Sequence, residues 1–273
     1  MRVRLIDPTQ SRDLNRFVEF PFQLYRDCAQ WVPPLLSEAH SQVNRQHPFY
    51  AHSEAACILA ENEGQVLGRI MVMENRNHNQ YRGVNTAFFG FFDTVDDLQV
   101  SQALFEAAFA WAHARGLDRI IGPRGLIGTD GSGILVEGFE HRPALTVPYN
   151  YSYYGRLINA AGFEKDTDHL SGYLPGDHPL PERLHAIAER VKARRGYWVK
   201  NFHSKTEMRT WVPRVRAVHR QAFAGSHTFY PPTEREMDAI ADSIINIADP
   251  RLIKLIMKGE EMIGFIFAYH DIS

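Results

Sequence analysis

The chain has 273 residues, 44% of them apolar and 23% charged, with a formal net charge of −2. That balance supports a packed core and excludes the strongly basic face that nucleic-acid binding requires. Cys28 and Cys57 are far apart and are the chain's 2 cysteines, which excludes a disulfide framework and fits reduced thiols in a cytoplasmic protein.

No apolar run approaches the roughly 18 residues of a membrane span, so no membrane partner is expected. Met1-Arg2-Val3-Arg4-Leu5-Ile6 reads as a strand and not as a signal peptide. A helix follows over 11–25. Between it and the next strand lie many aromatics, Phe20, Phe22, Tyr25, Trp31, Phe49 and Tyr50 among them. Segments 57–61 and 66–73 then pair as a hairpin through Asn62-Glu63-Gly64, whose residue types suit a tight turn. Phe88-Phe89-Gly90-Phe91-Phe92 is short, aromatic and continuously apolar, the pattern of a strand buried on both faces. From Leu98 the period changes: Val100, Ala103, Leu104, Ala107, Ala108, Trp111 and Ala112 form one helical stripe. Gly116 ends that helix, and Ile120-Ile121 restarts a strand that Pro123 closes. A strand–helix–strand crossover forces a parallel pair, and such units often leave a ligand opening at the strand ends.

Beyond this unit, Gly128-Thr129-Asp130-Gly131-Ser132-Gly133 has the composition of a phosphate-cradling loop. Ile134-Leu135-Val136 after it reads as a strand, so the dinucleotide fingerprint fails in context. An aromatic helix then runs from Tyr153 to Gly162-Phe163-Glu164-Lys165. A Pro/Gly-rich linker at 175–179 leads to a helix over 181–195. The second half restates the first: a strand over 197–202, a helix over 207–223, Phe229-Tyr230-Pro231-Pro232 set against Trp31-Val32-Pro33-Pro34, and a hairpin of 252–257 with 262–269 around Lys258-Gly259-Glu260. Thr233 and Glu236 form a capping box for a helix to about 248. The hairpins differ by one residue between Gly64 and Gly68 on one side and Gly259 and Gly264 on the other.

This order of elements, with the Tyr153-Tyr154 pair and the terminal Gly162-Phe163-Glu164, resembles the GNAT acyltransferase fold. Phe20-Pro21-Phe22, Trp31-Val32-Pro33-Pro34 and Phe89-Gly90-Phe91-Phe92 resemble in particular the bacterial tandem-repeat GNAT-like proteins. The resemblance covers about residues 1–175 and implies a mixed α/β (α+β) sheet of acyl-CoA acyltransferase type. The expected domains are a GNAT-like unit at 1–175, a linker and connecting helix at 176–196, and a partial second repeat at 197–273. That repeat is expected to stop after its third strand, as a fragment or a degenerate copy.

In this fold acetyl-CoA, as co-substrate, is held by a glycine-rich loop and the start of the crossover helix. The resemblance places Phe91, Phe92, Gln99, Val100, Ser101 and Gln102 there. Asp96 stands at the Arg/Gln position of that motif, Gln99 and Ser101 stand at its glycines, and Asp93 and Asp97 add carboxylates. Those aspartates suit a helix cap better than a diphosphate. The tyrosine that many GNAT enzymes use as general acid falls here on Ile158; Tyr154, one turn earlier, is the candidate acid, Tyr153 is less well aimed, and Asp93 is the candidate base. His40, His47, His52 and His78 are expected on loops and show no metal-ligand spacing. Three functions remain open: acetyl or acyl transfer from CoA to an amine of a small molecule or peptide, an inactive repeat serving as a ligand-binding or regulatory module, and nucleotide binding through the 128–133 loop. The sequence leaves oligomeric state open.

Overall fold

A hairpin whose turn residues both take positive φ, Glu63 at 49° and Gly64 at 84°, organises the first sheet. It joins β2 (Glu54–Asn62) to β3 (Gln65–Glu74) in the computed structural model, which describes all residues except 8, 128–130, 145–146, 227–228 and 271–273. The chain divides into two compact units, one built from Met1–Asp166 with Tyr230–Pro232, the other from Thr167–Phe229 and Thr233–Asp271.

In the first unit β1 (Arg2–Leu5), β2, β3, β4 (Thr86–Thr94) and β5 (Arg119–Ile121) form one sheet in that order. The first three contacts between neighbouring strands are antiparallel. β4 and β5 run parallel, with Thr86, Ala87 and Phe88 opposite Arg119, Ile120 and Ile121. The crossover is α4 (Leu98–His113), whose stripe of Val100, Leu104, Phe105, Ala108 and Trp111 is buried on the sheet. Gly68 lies beneath it, and a Cβ there would come within 2.8 Å of Leu104. On the opposite pleat, α1 (Ser11–Leu24) brings the Phe17 carbonyl to Arg69 at 2.7 Å. α2 (Leu36–Val43), α3 (Arg76–Arg82) and α5 (Tyr154–Ala160) complete the unit.

Two expectations are corrected here. Residues 134–136 do not form a strand. Leu135 exchanges its backbone hydrogen bonds with the Asn150 side chain, at 2.7 and 3.3 Å, and Val136 is 64% exposed. A side-chain amide has taken the place of a neighbouring strand. Among the histidines, His40 lies in α2 and His78 in α3, where its ring is buried edge-on to Phe88 at 4.9 Å. Asn75 accepts from the His78 N–H at 2.9 Å and so starts a helix in a stretch that reads as a polar loop. Among the described residues no group of His, Cys, Asp or Glu could hold a metal, and no helix is long and apolar enough to cross a membrane.

The second unit contains α6 (Glu182–Arg195), β6 (Tyr197–Asn201), α7 (Lys205–Phe223), α8 (Glu234–Ile247), β7 (Lys254–Lys258) and β8 (Glu261–Ile266). Its sheet has the order β6-β7-β8, antiparallel throughout. Leu255, Met257 and Met262 bury one face against Met208 of α7 and Ile245 of α8. The pairing copies the first sheet: Val199 opposite Ile256 opposite Gly264 matches Val3 opposite Ala60 opposite Gly68 at one constant sequence offset. A bulge falls at the same step in both, between Ala60 and Glu61 and between Ile256 and Met257. The one-residue mismatch between the hairpins disappears in this register. Gly259 takes the first turn position and Gly64 the second, so the glycines are not equivalent.

Candidate functional site

The end of β4 carries the site, and its aim is set by a bulge. Phe91 adopts φ 49°, a conformation a bulky residue rarely takes, and the register with β3 slips between Arg69 and Met71. The slip places Asp93 directly opposite Arg69. Arg69 donates to Asp93 Oδ2 from Nε at 2.8 Å and from its terminal nitrogen at 2.7 Å, while its other nitrogen holds the Phe17 carbonyl. This is a forked, charge-assisted contact between largely buried groups.

Tyr154, at the start of α5, joins this pair. Its hydroxyl accepts from the Thr94 N–H at 3.2 Å and from the Tyr25 hydroxyl at 2.7 Å, and donates to Asp93 Oδ1 at 3.4 Å. Tyr25 also lies 3.3 Å from the same carboxylate oxygen. The oxygen of Tyr154 therefore has its full complement of partners, and the residue is 1% exposed. Burial pushes the Tyr154 and Tyr25 phenols far above their ordinary range, and the Asp93 charge pushes the same way. Both stay protonated and act as hydrogen-bond donors, not as bases. Tyr153 reaches past them to the Thr94 carbonyl at 2.8 Å.

The structure thus brings the candidate acid and base, Tyr154 and Asp93, into one network, and adds Arg69 and Tyr25. Arg69 had a signal: a lone cation inside Leu67-Gly68-Arg69-Ile70-Met71 needs a buried carboxylate partner. Tyr25 was visible only as one aromatic among several. Around the network the aromatics stack, Trp31 on Tyr25 at 5.1 Å, Tyr151 on Tyr25 at 4.9 Å, and Tyr153 on Tyr151 at 5.4 Å.

The six residues placed at the co-substrate position are arranged differently. Asp97 caps α4, its Oδ1 accepting from the Gln99 N–H at 2.7 Å and the Val100 N–H at 3.4 Å. Ser101 is 0% exposed and gives its hydroxyl to the Leu98 carbonyl at 3.1 Å. Val100 and Phe92 are buried in the core, Phe91 lies near Arg69, and Gln99 and Gln102 are exposed. Asp96 is engaged by Arg156. A carboxylate already occupies the amides that a diphosphate would need, and a second one flanks them, so this helix start does not fit acyl-CoA.

Beyond Ile121 the parallel strands stay in contact. Arg124 N–H donates to the Phe89 carbonyl at 2.8 Å, and a Cβ on Gly90 would lie 2.0 Å from the Arg124 carbonyl oxygen, so only glycine fits there. Half of the glycine-rich loop, residues 128–130, lies outside the described residues. Its other half folds back on the segment after β5, with Gly133 N–H donating to the Pro123 carbonyl at 2.8 Å.

No family model matches the chain. It is 30% identical over 264 residues to Protein YghO of Escherichia coli, covering 96% of this chain and 67% of that protein. It is 27% identical over 246 residues to the bacterial ceramide synthase of Caulobacter vibrioides, covering 88% of this chain and 63% of that one. The chain thus spans about two thirds of the length of these relatives. Among solved structures it is similar to a tandem GNAT protein from the clavulanic acid biosynthesis pathway (TM-score 0.49, 10% identity, 97% of this chain and 72% of that chain). Another is a putative acetyl transferase from Pyrococcus furiosus (TM-score 0.38, 13% identity, 63% of this chain and 100% of that chain). The mixed sheet, with α4 crossing between the parallel strands β4 and β5, is GNAT-like, and identity at this level along nearly its whole length establishes that the chain belongs to the family of Escherichia coli Protein YghO.

Proposed function

We propose that the protein is an N-acyltransferase whose acceptor is the amine of a long-chain amino alcohol. The observation that carries this reading is the relationship to a bacterial ceramide synthase along 88% of the chain. A ceramide is the amide of a fatty acid and a long-chain amino alcohol, so the chemistry it names is acyl transfer to nitrogen. An acyl-CoA thioester is the donor class expected of the fold, and the capped start of α4 directs it away from that helix. Within the first unit, Arg69, Asp93, Tyr25 and Tyr154 act together as a brace that fixes the end of β4.

The second unit, in this proposal, is a tandem copy of the first unit's opening strands. The shared register and the bulge at the same step support it. A second reading, in which the first unit is an inactive copy that binds a ligand or regulates its partner, is favoured by the same Asp97 cap.

The protein, incubated with a long-chain acyl-CoA and sphinganine, should yield an N-acyl product by mass spectrometry, with free thiol released in equal amount. Absence of the amide across several acyl lengths would rule out the transferase reading. Binding of acyl-CoA or sphinganine by calorimetry without turnover would support the second one.

A further inference from the structure

An acyl-CoA makes two polar demands on whatever holds it: its diphosphate needs free donors, and the amides of its arm need backbone partners. In the first unit the chain's own groups already occupy both. At the start of α4 the Asp97 carboxylate accepts from the Gln99 and Val100 N–H groups, and Asp96, engaged by Arg156, brings a second carboxylate to the same end. A diphosphate there would have to displace one carboxylate and lie beside another, and like charges at contact distance repel.

The outer edge of β4, where an amide-bearing arm would pair, is closed as well. Val95 turns its N–H to the Leu67 carbonyl of β3 at 3.0 Å, so Thr94 turns its backbone groups the other way, to the edge beyond the end of β5. Tyr153 and Tyr154, at the start of α5, meet them there. The Thr94 N–H donates to the Tyr154 hydroxyl at 3.2 Å, and the Thr94 carbonyl accepts from the Tyr153 hydroxyl at 2.8 Å. The two phenols thus take the donor and the acceptor that one amide of a ligand would take. Phe92 and Thr94 are 6% and 0% exposed, so neither presents its backbone to solvent. Earlier on the same edge the Phe89 carbonyl accepts from the Arg124 N–H, and the Arg124 carbonyl lies against Gly90. Backbone and phenols together fill the opening that a strand–helix–strand unit often leaves at its strand ends.

We propose that the first unit is closed to acyl-CoA by its own groups, with Asp97 standing where the diphosphate would bind and the Tyr153 and Tyr154 hydroxyls where an amide of the arm would pair. The donor of the acyl transfer is then held by other parts of the protein. The inference rests on the donor class named in the transferase reading, and it narrows the second reading to a ligand other than acyl-CoA.

The test uses the full chain with octanoyl-CoA and palmitoyl-CoA. Hydrogen exchange followed by mass spectrometry should show the same uptake over 95–102 with and without excess acyl-CoA. Gln99→Glu adds a charge at an exposed position of the helix start, so its circular dichroism spectrum and melting temperature should match the parent chain. The calorimetric affinity for acyl-CoA should be the same in both. An affinity unaltered by Gln99→Glu, or no acyl-CoA binding at all, upholds the proposal. An affinity lowered tenfold or more by Gln99→Glu, or protection gained over 95–102, overturns it. These outcomes are separable from those of the transferase reading. Amide formation without protection over 95–102 upholds both; no amide and no protection removes the transferase reading alone; protection there with amide formation removes this inference alone.

Discussion

Tyr154 shows how much one hydroxyl can hold. Replaced by Phe, it would leave the buried Thr94 N–H without its acceptor, while the Tyr25 O–H would turn to Asp93 Oδ1. The expected loss is about 1–3 kcal/mol of stability, read by urea unfolding. Tyr25→Phe should cost less, and the double variant should cost less than the sum, since the two share one hydrogen bond. The same pair sets an alkaline limit. Both phenols titrate higher in the folded protein than in the unfolded chain. Above the ordinary phenol range of about 10 the unfolded state loses protons that the folded state keeps, so stability falls as pH rises. A pH series of urea midpoints should show this decline, and Tyr154→Phe should flatten it. Arg69→Met strands Asp93 beside two phenols. Because both partners are slightly exposed, at 10% and 14% of the side chain, the expected cost is about 2 kcal/mol, below the full penalty of a buried pair. Retention of full stability would show that Asp93 is solvated.

At the level of elements the glycines give the sharpest contrast. Gly68 and Gly264 occupy equivalent places, yet a methyl at the first meets Leu104 at 2.8 Å and the Thr94 hydroxyl at 2.9 Å, while at the second it meets only ordinary contacts. Gly68→Ala should therefore lose about 1–3 kcal/mol, and Gly264→Ala should be neutral or slightly stabilising through the unfolded state; parallel thermal melts compare them. Much of this architecture is legible in sequence because local rules agree: the turn residues at Glu63-Gly64, the aromatic run of β4 and the stripe of α4 each point to one structure. The aim of Asp93 is not legible, since it depends on the bulge at Phe91, and no residue type there announces a positive φ. Nor could the pattern of Ile134-Leu135-Val136 reveal that Asn150, distant in sequence, would supply its hydrogen bonds. The acidic cap was legible, because Asp97 before an apolar helix has one common use.

Taken as a whole, the chain contains one sheet with helices on both faces and another whose buried face packs on α7 and α8, and the antiparallel pairing of β1-β2-β3 is repeated in β6-β7-β8. Hydrogen exchange should separate them. Amides of β2, β3 and β4 should be protected far longer than those of β6, β7 and β8, whose openings expose less buried surface. Equal protection would show that the second sheet is as well covered as the first.

The strand order β6-β7-β8 has a practical consequence. Among the described residues β8 is an outer strand of it, so in this chain its outer row of amide and carbonyl groups can template further strands, and Ile263 and Ile266 at 38% and 56% exposure make that rim sticky. Concentrated preparations should slowly accumulate thioflavin-positive fibrils, and Ile266→Lys should delay them by placing a charge where a newcomer would have to stack.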